Sequence, residues 1–238
     1  MSLKLDTQYV CKVCGYNMVG YLPDNCPFCG ASKSKFITAK ECSEEYYIEE
    51  KEVNKKIKRL NSFPKLGLEH SAYQIETENK VIWIDCPSTF RKDVDPMDTI
   101  LFTHHHFLGA SNLYSQYFNA EVWIHGNDAQ NSLSKHHTFT HKFEKDFTEN
   151  GIKAFHIDGH TSGFTFYIFE EVLLDCDYTF YSGETLRFNP YGPGKATRDG
   201  GEKMKHNIES FELKKVCGVD YVVDYEEWKP ALDSLLEA

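Results

Sequence analysis

The chain has 238 residues, of which 41% are hydrophobic and 26% charged, so its composition is typical of a globular protein rather than a disordered one. Its formal net charge of −10 argues against nucleic acid or an anionic membrane as the main partner. Residues 1–10 lack the apolar core of a signal peptide and no stretch is apolar enough to span a membrane, so we expect a cytoplasmic protein.

Four of the eight cysteines form two Cys-x2-Cys pairs near the N-terminus. Cys11 and Cys14 make up one pair, Cys26 and Cys29 the other, and a glycine follows each. Such turns direct backbone N–H groups at the sulfurs, and four converging thiolates suit Zn²⁺ or a single iron. Because so small a segment cannot bury much core, we expect the metal to supply most of its folding energy.

The motifs Cys-x2-Cys-Gly-Tyr and Cys-Pro-x-Cys-Gly, followed by Phe36, resemble a rubredoxin-like domain of the short-loop form found in rubrerythrins. The resemblance covers about residues 7–38 and implies one iron, held by the four cysteines, that carries one electron. A zinc ribbon uses the same ligands, so the site takes iron or zinc. We therefore predict a rubredoxin-like, four-cysteine metal domain over residues 1–40.

Residues 41–63 are strongly charged, with acidic residues early and basic residues late. This order matches the charge preference of a helix macrodipole, and Pro64 then breaks the pattern. We predict that residues 41–63 are a charged, helical linker and that residues 64–238 form a second domain.

From residue 64 onward, predicted strands alternate with predicted helices, which indicates sheets covered by helices. The predicted strands are 71–77, 80–85, 99–103, 120–125, 152–157, 165–170, 171–176 and 220–225. The predicted helices are 110–119, 127–136, 203–215 and 230–238. Between them, a long Gly- and Pro-rich loop carries Arg187, Lys195 and Arg198, which we expect to meet a small, anionic substrate.

Three consecutive histidines, 104 to 106, follow the short apolar strand at 99–103. Side chains alternate faces in an extended segment, so His104 and His106 point the same way and can offer two imidazoles to one metal. His160 lies in a turn between two strands, and Asp177 follows the strand at 171–176.

Three parts of the sequence, in this order, resemble the motifs of the metallo-β-lactamase superfamily: Thr103-His104-His105-His106, Gly159-His160-Thr161-Ser162-Gly163 and Asp177. Asp85 matches an aspartate of that superfamily that ends an earlier strand. The resemblance covers about residues 66–238. It implies an α+β fold, the αββα sandwich of that superfamily, with metal at one edge of the two sheets. The implied ligands of one iron or zinc are His104, His106, His160 and Asp177, with Asp177 as the catalytic residue.

The departures from the family motif predict one metal instead of two. The family has Asp and His, which bind a second metal, where this chain has Leu108 and Gly109. Asp224 stands where the family has its last histidine, so the second site keeps at most Asp177 and Asp224. On this interpretation, restoring Asp and His at 108 and 109 should restore a second metal.

Three imidazoles and a carboxylate suit zinc or ferrous iron, so the function stays open between redox chemistry and hydrolysis. With iron, the site resembles that of the persulfide dioxygenases of the superfamily. Some of the flavodiiron relatives carry a fused rubredoxin, but they use two irons. The fused cysteine module favours a redox enzyme, served by a redox partner protein. The module would reach a histidine site either in its own chain, if the linker folds back, or in a second chain of a head-to-tail homodimer, and we favour the homodimer. With zinc, the protein would be a hydrolase of an ester, thioester or amide. A non-catalytic metal-binding scaffold is the third hypothesis.

Overall fold

The computed structural model describes residues 4–183 and 185–238. The N-terminal part is a small antiparallel sheet of order β2-β1-β3, with short 3₁₀ turns at Leu5–Thr7 and Lys33–Lys35. Its strands are β1 (Gln8–Cys11), β2 (Asn17–Val19) and β3 (Phe36–Thr38). Helix α1 (Ala39–Glu45) follows directly and starts with a capping box between Thr38 and Glu41.

The first large sheet has seven strands in the order β10-β9-β8-β7-β6-β5-β4. They are β4 (Tyr47–Asn54), β5 (Ile57–Phe63), β6 (Ala72–Glu76), β7 (Val81–Ile84), β8 (Thr99–Leu101), β9 (Glu121–His125) and β10 (His141–Phe143). Strands β7 to β10 are parallel, so the chain segments that follow β7, β8 and β9 leave the same edge of the sheet. Helices α2 (Ser111–Phe118) and α3 (Gly126–Ala129) and a 3₁₀ turn at Ser132–Ser134 lie in its connections.

The second large sheet has six strands in the order β11-β12-β13-β14-β17-β18. They are β11 (Phe147–Glu149), β12 (Ile152–His156), β13 (Thr165–Phe169), β14 (Val172–Cys176), β17 (Lys215–Gly218) and β18 (Val222–Asp224). A two-stranded ribbon, β15 (Thr179–Tyr181) with β16 (Leu186–Phe188), and helices α4 (Gly194–Ile208) and α5 (Tyr225–Glu237) complete the chain. Among the described residues, every helix is too short or too polar to cross a lipid bilayer.

The core is divided into layers by strand alternation. In β7, Trp83 faces a cluster that contains Leu113 of α2, whereas Ile82 and Ile84 on the opposite face enter a cluster between the two sheets. In β13, Phe166 and Ile168 face a third cluster, with Met204 and Trp228 from α4 and α5, while Tyr167 and Phe169 face the other sheet. Because successive side chains point to opposite faces, each sheet is covered by helices on one side only. The result is the predicted αββα sandwich.

Two sequence predictions are wrong in the large domain. Residues 47–63, predicted as part of a helical linker, are the antiparallel hairpin β4–β5 at the edge of the seven-stranded sheet. Only Ala39–Glu45 is helical in that region. The helix predicted at 203–215 instead spans Gly194–Ile208, so it includes much of the segment predicted as a substrate loop.

Candidate metal centres

The four cysteine sulfurs of the N-terminal sheet converge on one point. Sγ of Cys11 lies 3.8 Å from that of Cys29, and Sγ of Cys14 lies 3.7 Å from that of Cys26. All four sulfurs lie within 4.8 Å of one another. Around a tetrahedral metal with bonds of about 2.3 Å, sulfurs are separated by about 3.8 Å, so the spacing fits one metal ion.

Neighbouring thiols and backbone N–H groups favour the thiolate state at Cys11. The thiols of Cys14 and Cys26, followed by the backbone N–H groups of Val13 and Cys14, hold the pKa of Cys11 far below its usual value, although burial opposes this. The turns are closed by Gly15 N–H donating to the Cys11 carbonyl, at 2.7 Å, and by an equivalent bond in the second pair. These turns are the ones predicted from the glycines after each pair.

The second cluster forms where three strands end at one edge of the sandwich. His104 and His106 follow β8, His160 lies between β12 and β13, and Asp177 follows β14. Their ligand atoms lie within 4.8 Å of one another. The separations are 2.9 Å from His160 Nε2 to His106 Nδ1, and 3.4 Å from Asp177 Oδ1 to His104 Nε2 and from Asp177 Oδ2 to His160 Nε2. Ligands bound at about 2.0–2.2 Å are roughly 3–3.5 Å apart, so these four residues also fit one metal.

Unpaired polar atoms give independent support for a cation in this cluster. His104 Nε2 and Asp177 Oδ1 are buried and face each other, yet neither has a hydrogen-bond partner within the described residues. A buried polar atom without a partner costs about 1–3 kcal/mol, so such atoms are rare without a functional reason. A metal ion bound by both atoms would supply that reason.

The protonation states in this cluster suit metal binding. Burial lowers the pKa of His104 well below its usual value, and burial also lowers the pKa of His106 to about 3. Burial alone would raise the pKa of Asp177, but the imidazoles of His104, His160 and His70 together hold it well below its ordinary value. The His104 and His106 imidazoles are therefore neutral and the Asp177 carboxylate is ionised, which are the forms that bind metal.

A hydrogen-bond chain from the neighbouring strand orients His104. The Thr103 N–H donates to Asp85 Oδ1 at 2.9 Å, and the Thr103 hydroxyl donates to the same carboxylate. Thr103 Oγ1 also lies 2.9 Å from His104 Nδ1. Because the hydroxyl proton is directed at Asp85, His104 Nδ1 must be the donor in this contact, which leaves Nε2 free to bind a metal. The predicted match of Asp85 thus has a structural role beside the ligands.

Asp128 joins the two loops that carry the histidine ligands, and the sequence prediction missed it. This carboxylate, which is fully buried, accepts from the His105 N–H at 3.2 Å and lies 3.1 Å from His105 Nδ1. It also accepts from the Thr161 hydroxyl at 2.8 Å and the Gly163 N–H at 3.0 Å. His105, which points away from the ligand cluster, therefore anchors the loop instead of binding the metal.

Leu108 and Gly109, at the positions where the sequence resemblance would place ligands of a second metal, are packed tightly against the protein core. Leu108 is buried in the cluster under α2. Gly109 has φ +51°, and a Cβ there would lie 2.2 Å from the Cys86 carbonyl oxygen, so a histidine at this position has no room. The expectation that restoring Asp and His would restore a second metal is wrong for this backbone.

Asp224 does not contribute to the site either. It is exposed at the end of β18, where its carboxylate lies 3.0 Å from Lys215 Nζ. Two of the three basic residues predicted to meet an anionic substrate are also engaged elsewhere. Lys195 pairs with Asp199 at 2.7 Å, and Arg198 donates to the Leu236 carbonyl.

Two further residues reach the cluster without having been predicted. The Asn189 amide donates to Asp177 Oδ2 at 2.8 Å. His70, in the loop before β6, has its Nε2 3.6 Å from the same oxygen and its ring against Phe107, with 3.8 Å between ring centroids. A lone histidine in a loop more than 30 residues from the motif carries no spacing signal, so only the folded chain identifies it.

The cysteine module is docked on the histidine cluster of its own chain. The Phe28 ring, between the ligands Cys26 and Cys29, lies 5.6 Å from the His106 ring and 4.8 Å from the Phe107 ring. The two metal clusters are therefore separated by one aromatic side chain.

Polar contacts fix this docking. The Tyr16 hydroxyl donates to the Leu133 carbonyl at 2.6 Å, and the Asn17 amide donates to the Ser88 carbonyl at 3.2 Å. His137 is also buried here, with Nε2 3.4 Å from the Asn17 carbonyl oxygen. A head-to-tail dimer is thus not required to bring the cysteines to the histidines.

Comparison with known proteins agrees with both parts of this description. Residues 9–37 match the family model "Rubrerythrin, rubredoxin-like domain". No curated protein matches the sequence. Among solved structures, the metallo-beta-lactamase from Pontibacter korlensis is similar with a TM-score of 0.65 and 14% identity, over 80% of this chain and 99% of that one.

Two further solved structures have the same fold. The metallo-beta-lactamase from Hirschia baltica has a TM-score of 0.62 and 11% identity, over 79% of this chain and 97% of that one. An archaeal metallo-beta-lactamase superfamily protein from Sulfolobus tokodaii has a TM-score of 0.53 and 16% identity, over 71% of this chain and 80% of that one. The chain therefore combines an N-terminal rubredoxin-like domain with a domain of the metallo-β-lactamase fold.

Proposed function

We propose that the protein is a metal-dependent redox enzyme whose mononuclear His/Asp site is served by a rubredoxin-type iron centre. When bound, iron at the four cysteines supplies one-electron transfer, and a redox-active metal at His104, His106, His160 and Asp177 supplies the centre that uses the electron. The observation that carries this proposal is the position of Phe28, which packs against His106 and lies between Cys26 and Cys29, two residues that would hold the cysteine metal.

The surroundings of the histidine cluster favour electron transfer between the centres and a small reactant. The Phe28 ring packs edge to face against Phe107, which lies on His70, and also lies beside the His106 ring. Three of the four ligand residues are buried and only His106 is partly exposed, so a small molecule is the substrate that we propose. Thr103 and Asp85 fix the His104 tautomer, and Asn189 holds Asp177 in place.

A hydrolytic zinc has no use for an adjoining one-electron carrier, which is why the redox hypothesis ranks above hydrolysis. Cys29 is the most exposed of the four cysteine ligands, so an external redox partner protein could deliver electrons on that side.

The test is to reduce the iron-loaded protein without oxygen, then add dioxygen and follow the iron–thiolate absorbance. We expect reoxidation by dioxygen to slow in the double variant His104→Ala/His160→Ala, because the outlet for electrons is removed. The double variant His141→Ala/His206→Ala, which changes two exposed histidines, should reoxidise at the original rate.

Equal rates in the ligand variant and the parent protein would mean that the two metals are not coupled. The same conclusion would follow if the cysteine site, purified without added metal, holds zinc and the protein is colourless. Either result would overturn the redox proposal and place a zinc-dependent hydrolase first.

A further inference from the structure

His70, Cys176 and Asp177 form a further group of potential metal ligands beside the main histidine site. The Nε2 of His70 lies 3.6 Å from Asp177 Oδ2, and its Nδ1 lies 3.6 Å from the Sγ of Cys176. One donor atom from each of these three residues lies within 4.8 Å of the other two. Imidazole, thiolate and carboxylate are all donors that zinc accepts.

The loop that carries His70 is held on both sides. The buried Glu69 carboxylate accepts from the Ser62 N–H at 2.7 Å and from the Ser88 N–H. The Ser71 N–H donates to the Val219 carbonyl at 2.9 Å. His70 is thus placed by anchored neighbours, and its ring rests on Phe107, so its position does not depend on a mobile loop.

Cys176 is held in an unusual backbone conformation. It has φ +49°, in the left-handed region, which a residue with a Cβ adopts less readily than glycine. Its side chain is nonetheless buried and directed at His70. Strained residues at a polar cluster suggest a role for the side chain, since glycine would satisfy the turn without strain.

We propose that His70, Cys176 and Asp177 form an auxiliary site for a divalent transition-metal ion such as Zn²⁺. Asp177 would be shared, because its Oδ1 faces His104 of the main site while its Oδ2 lies between His160, at 3.4 Å, and His70, at 3.6 Å. This ligand set differs from the degenerate motif positions Leu108 and Gly109, neither of which can contribute a donor. With three protein ligands instead of four, the auxiliary site fills after the main site.

The experiment is a zinc titration of the full-length protein, with bound ions counted by native mass spectrometry. We expect three zinc ions per chain at saturation: one at the four cysteines, one at the main histidine site and one at the auxiliary site. His70→Phe keeps an aromatic ring against Phe107 but removes the donors, so it should stop at two. Cys176→Ser should also lose the third ion.

A matched control separates this site from adventitious binding. His206→Ala changes a histidine whose side chain is 86% exposed, and this variant should still reach three zinc ions. The two zinc ions that remain in His70→Phe show that both other sites are folded. A parent protein that stops at two, or a His70→Phe variant that reaches three, would overturn the proposal. If His70 and Cys176 are joined only by a hydrogen bond, the parent protein should stop at two zinc ions.

The outcome is independent of the redox proposal. The zinc count requires no electron transfer, so the auxiliary site can be present while the two larger clusters prove to be uncoupled. Conversely, a count of two leaves the reoxidation experiment unaffected.

Discussion

The Phe28 ring lies 5.6 Å from the His106 ring, so a residue between two thiolate ligands contacts an imidazole ligand of the other cluster. This contact gives the first prediction. Phe28→Ala should keep iron at the four cysteines but slow its reoxidation by dioxygen, because water replaces the ring between the clusters. Since Phe28 is only half-buried, we expect a stability loss of about 1–2 kcal/mol, below the range for a fully buried phenylalanine.

The matched variant for this experiment is Phe28→Tyr, which keeps the ring and should reoxidise at a rate close to that of the parent protein. Stopped-flow absorbance at the iron–thiolate bands measures both rates. If Phe28→Ala reoxidises as fast as Phe28→Tyr, the ring has no part in the coupling.

The second prediction concerns the metal of the N-terminal module. Cys26→Ser should remove about one metal per chain and unfold residues 7–38, because the module buries little apolar surface without its metal. Metal analysis and hydrogen exchange of the module give the two readouts. Cys42→Ser changes a buried cysteine outside the cluster, beside Thr89, and should leave the metal content intact. Unchanged metal in Cys26→Ser would contradict the assignment.

The ligand clusters could be predicted from the sequence because their spacing is local. Cys-x2-Cys turns and the His-x-His strand end fix the relative directions of two side chains each, and the order of the later motifs supplies the rest. His70 could not be predicted in this way. It reaches Asp177 only because the β5–β6 loop folds between the cysteine module and the sandwich, where a Cβ on Gly67 would lie 2.4 Å from the Val13 carbonyl oxygen.

The two wrong predictions of secondary structure, at β4–β5 and at α4, also have physical causes. Charged residues dominate β4 because it is an edge strand in which half of the residues are exposed and none is buried, and a charged edge strand has the composition of a surface helix. Gly200 and Gly201 suggested a loop, yet they lie in α4. A Cβ on Gly200 would lie 2.2 Å from the Tyr178 hydroxyl and one on Gly201 2.8 Å from the Phe188 ring, so close packing explains both glycines.

The third prediction addresses Asp128, a positioning residue for both histidine loops. Asp128→Asn replaces one acceptor oxygen with an NH₂ group that faces donors from His105, Thr161 and Gly163. We expect the free energy of unfolding to fall by about 1–3 kcal/mol. The metal affinity of the histidine cluster should fall by about 10–100-fold, as is typical when partners of metal ligands are lost.

Chelator competition measures this affinity, and the cysteine metal in the same chain is the internal control, since its binding should not change. Asp199→Asn, at an exposed ion pair, is the matched surface variant and should leave both properties unaltered. Equal histidine-site affinity in Asp128→Asn and the parent protein would show that the loops are held by other contacts.

The fourth prediction is that acid weakens the docking of the cysteine module through His137. Burial, reinforced by the neighbouring His136, lowers the pKa of His137 to about 4, although the contact with the Asn17 carbonyl opposes this. The lowered pKa agrees with the structure, because a proton added at Nδ1 would find no acceptor within the described residues.

The direction of the pH effect depends on whether the docked or the undocked state binds the proton more readily. In the undocked or unfolded chain His137 would protonate near its ordinary pKa of 6.5, whereas in the docked form it stays neutral down to about pH 4. Its contribution to stability is therefore complete above pH 6.5 and is lost as the pH falls from 6.5 toward 4. A pKa difference of this size corresponds to a loss of about 3 kcal/mol in the free energy of unfolding once the pH has fallen to about 4.

The measurement compares thermal unfolding of the metal-loaded parent protein and His137→Gln across this pH range. Glutamine can donate to the Asn17 carbonyl but does not titrate, so the variant should lose less stability between pH 6.5 and 4 than the parent. The ligand histidines titrate in both proteins and cancel in the comparison. Parallel pH profiles would mean that His137 does not hold the module in its docked position, and the acid sensitivity would then have to arise at the metal ligands themselves.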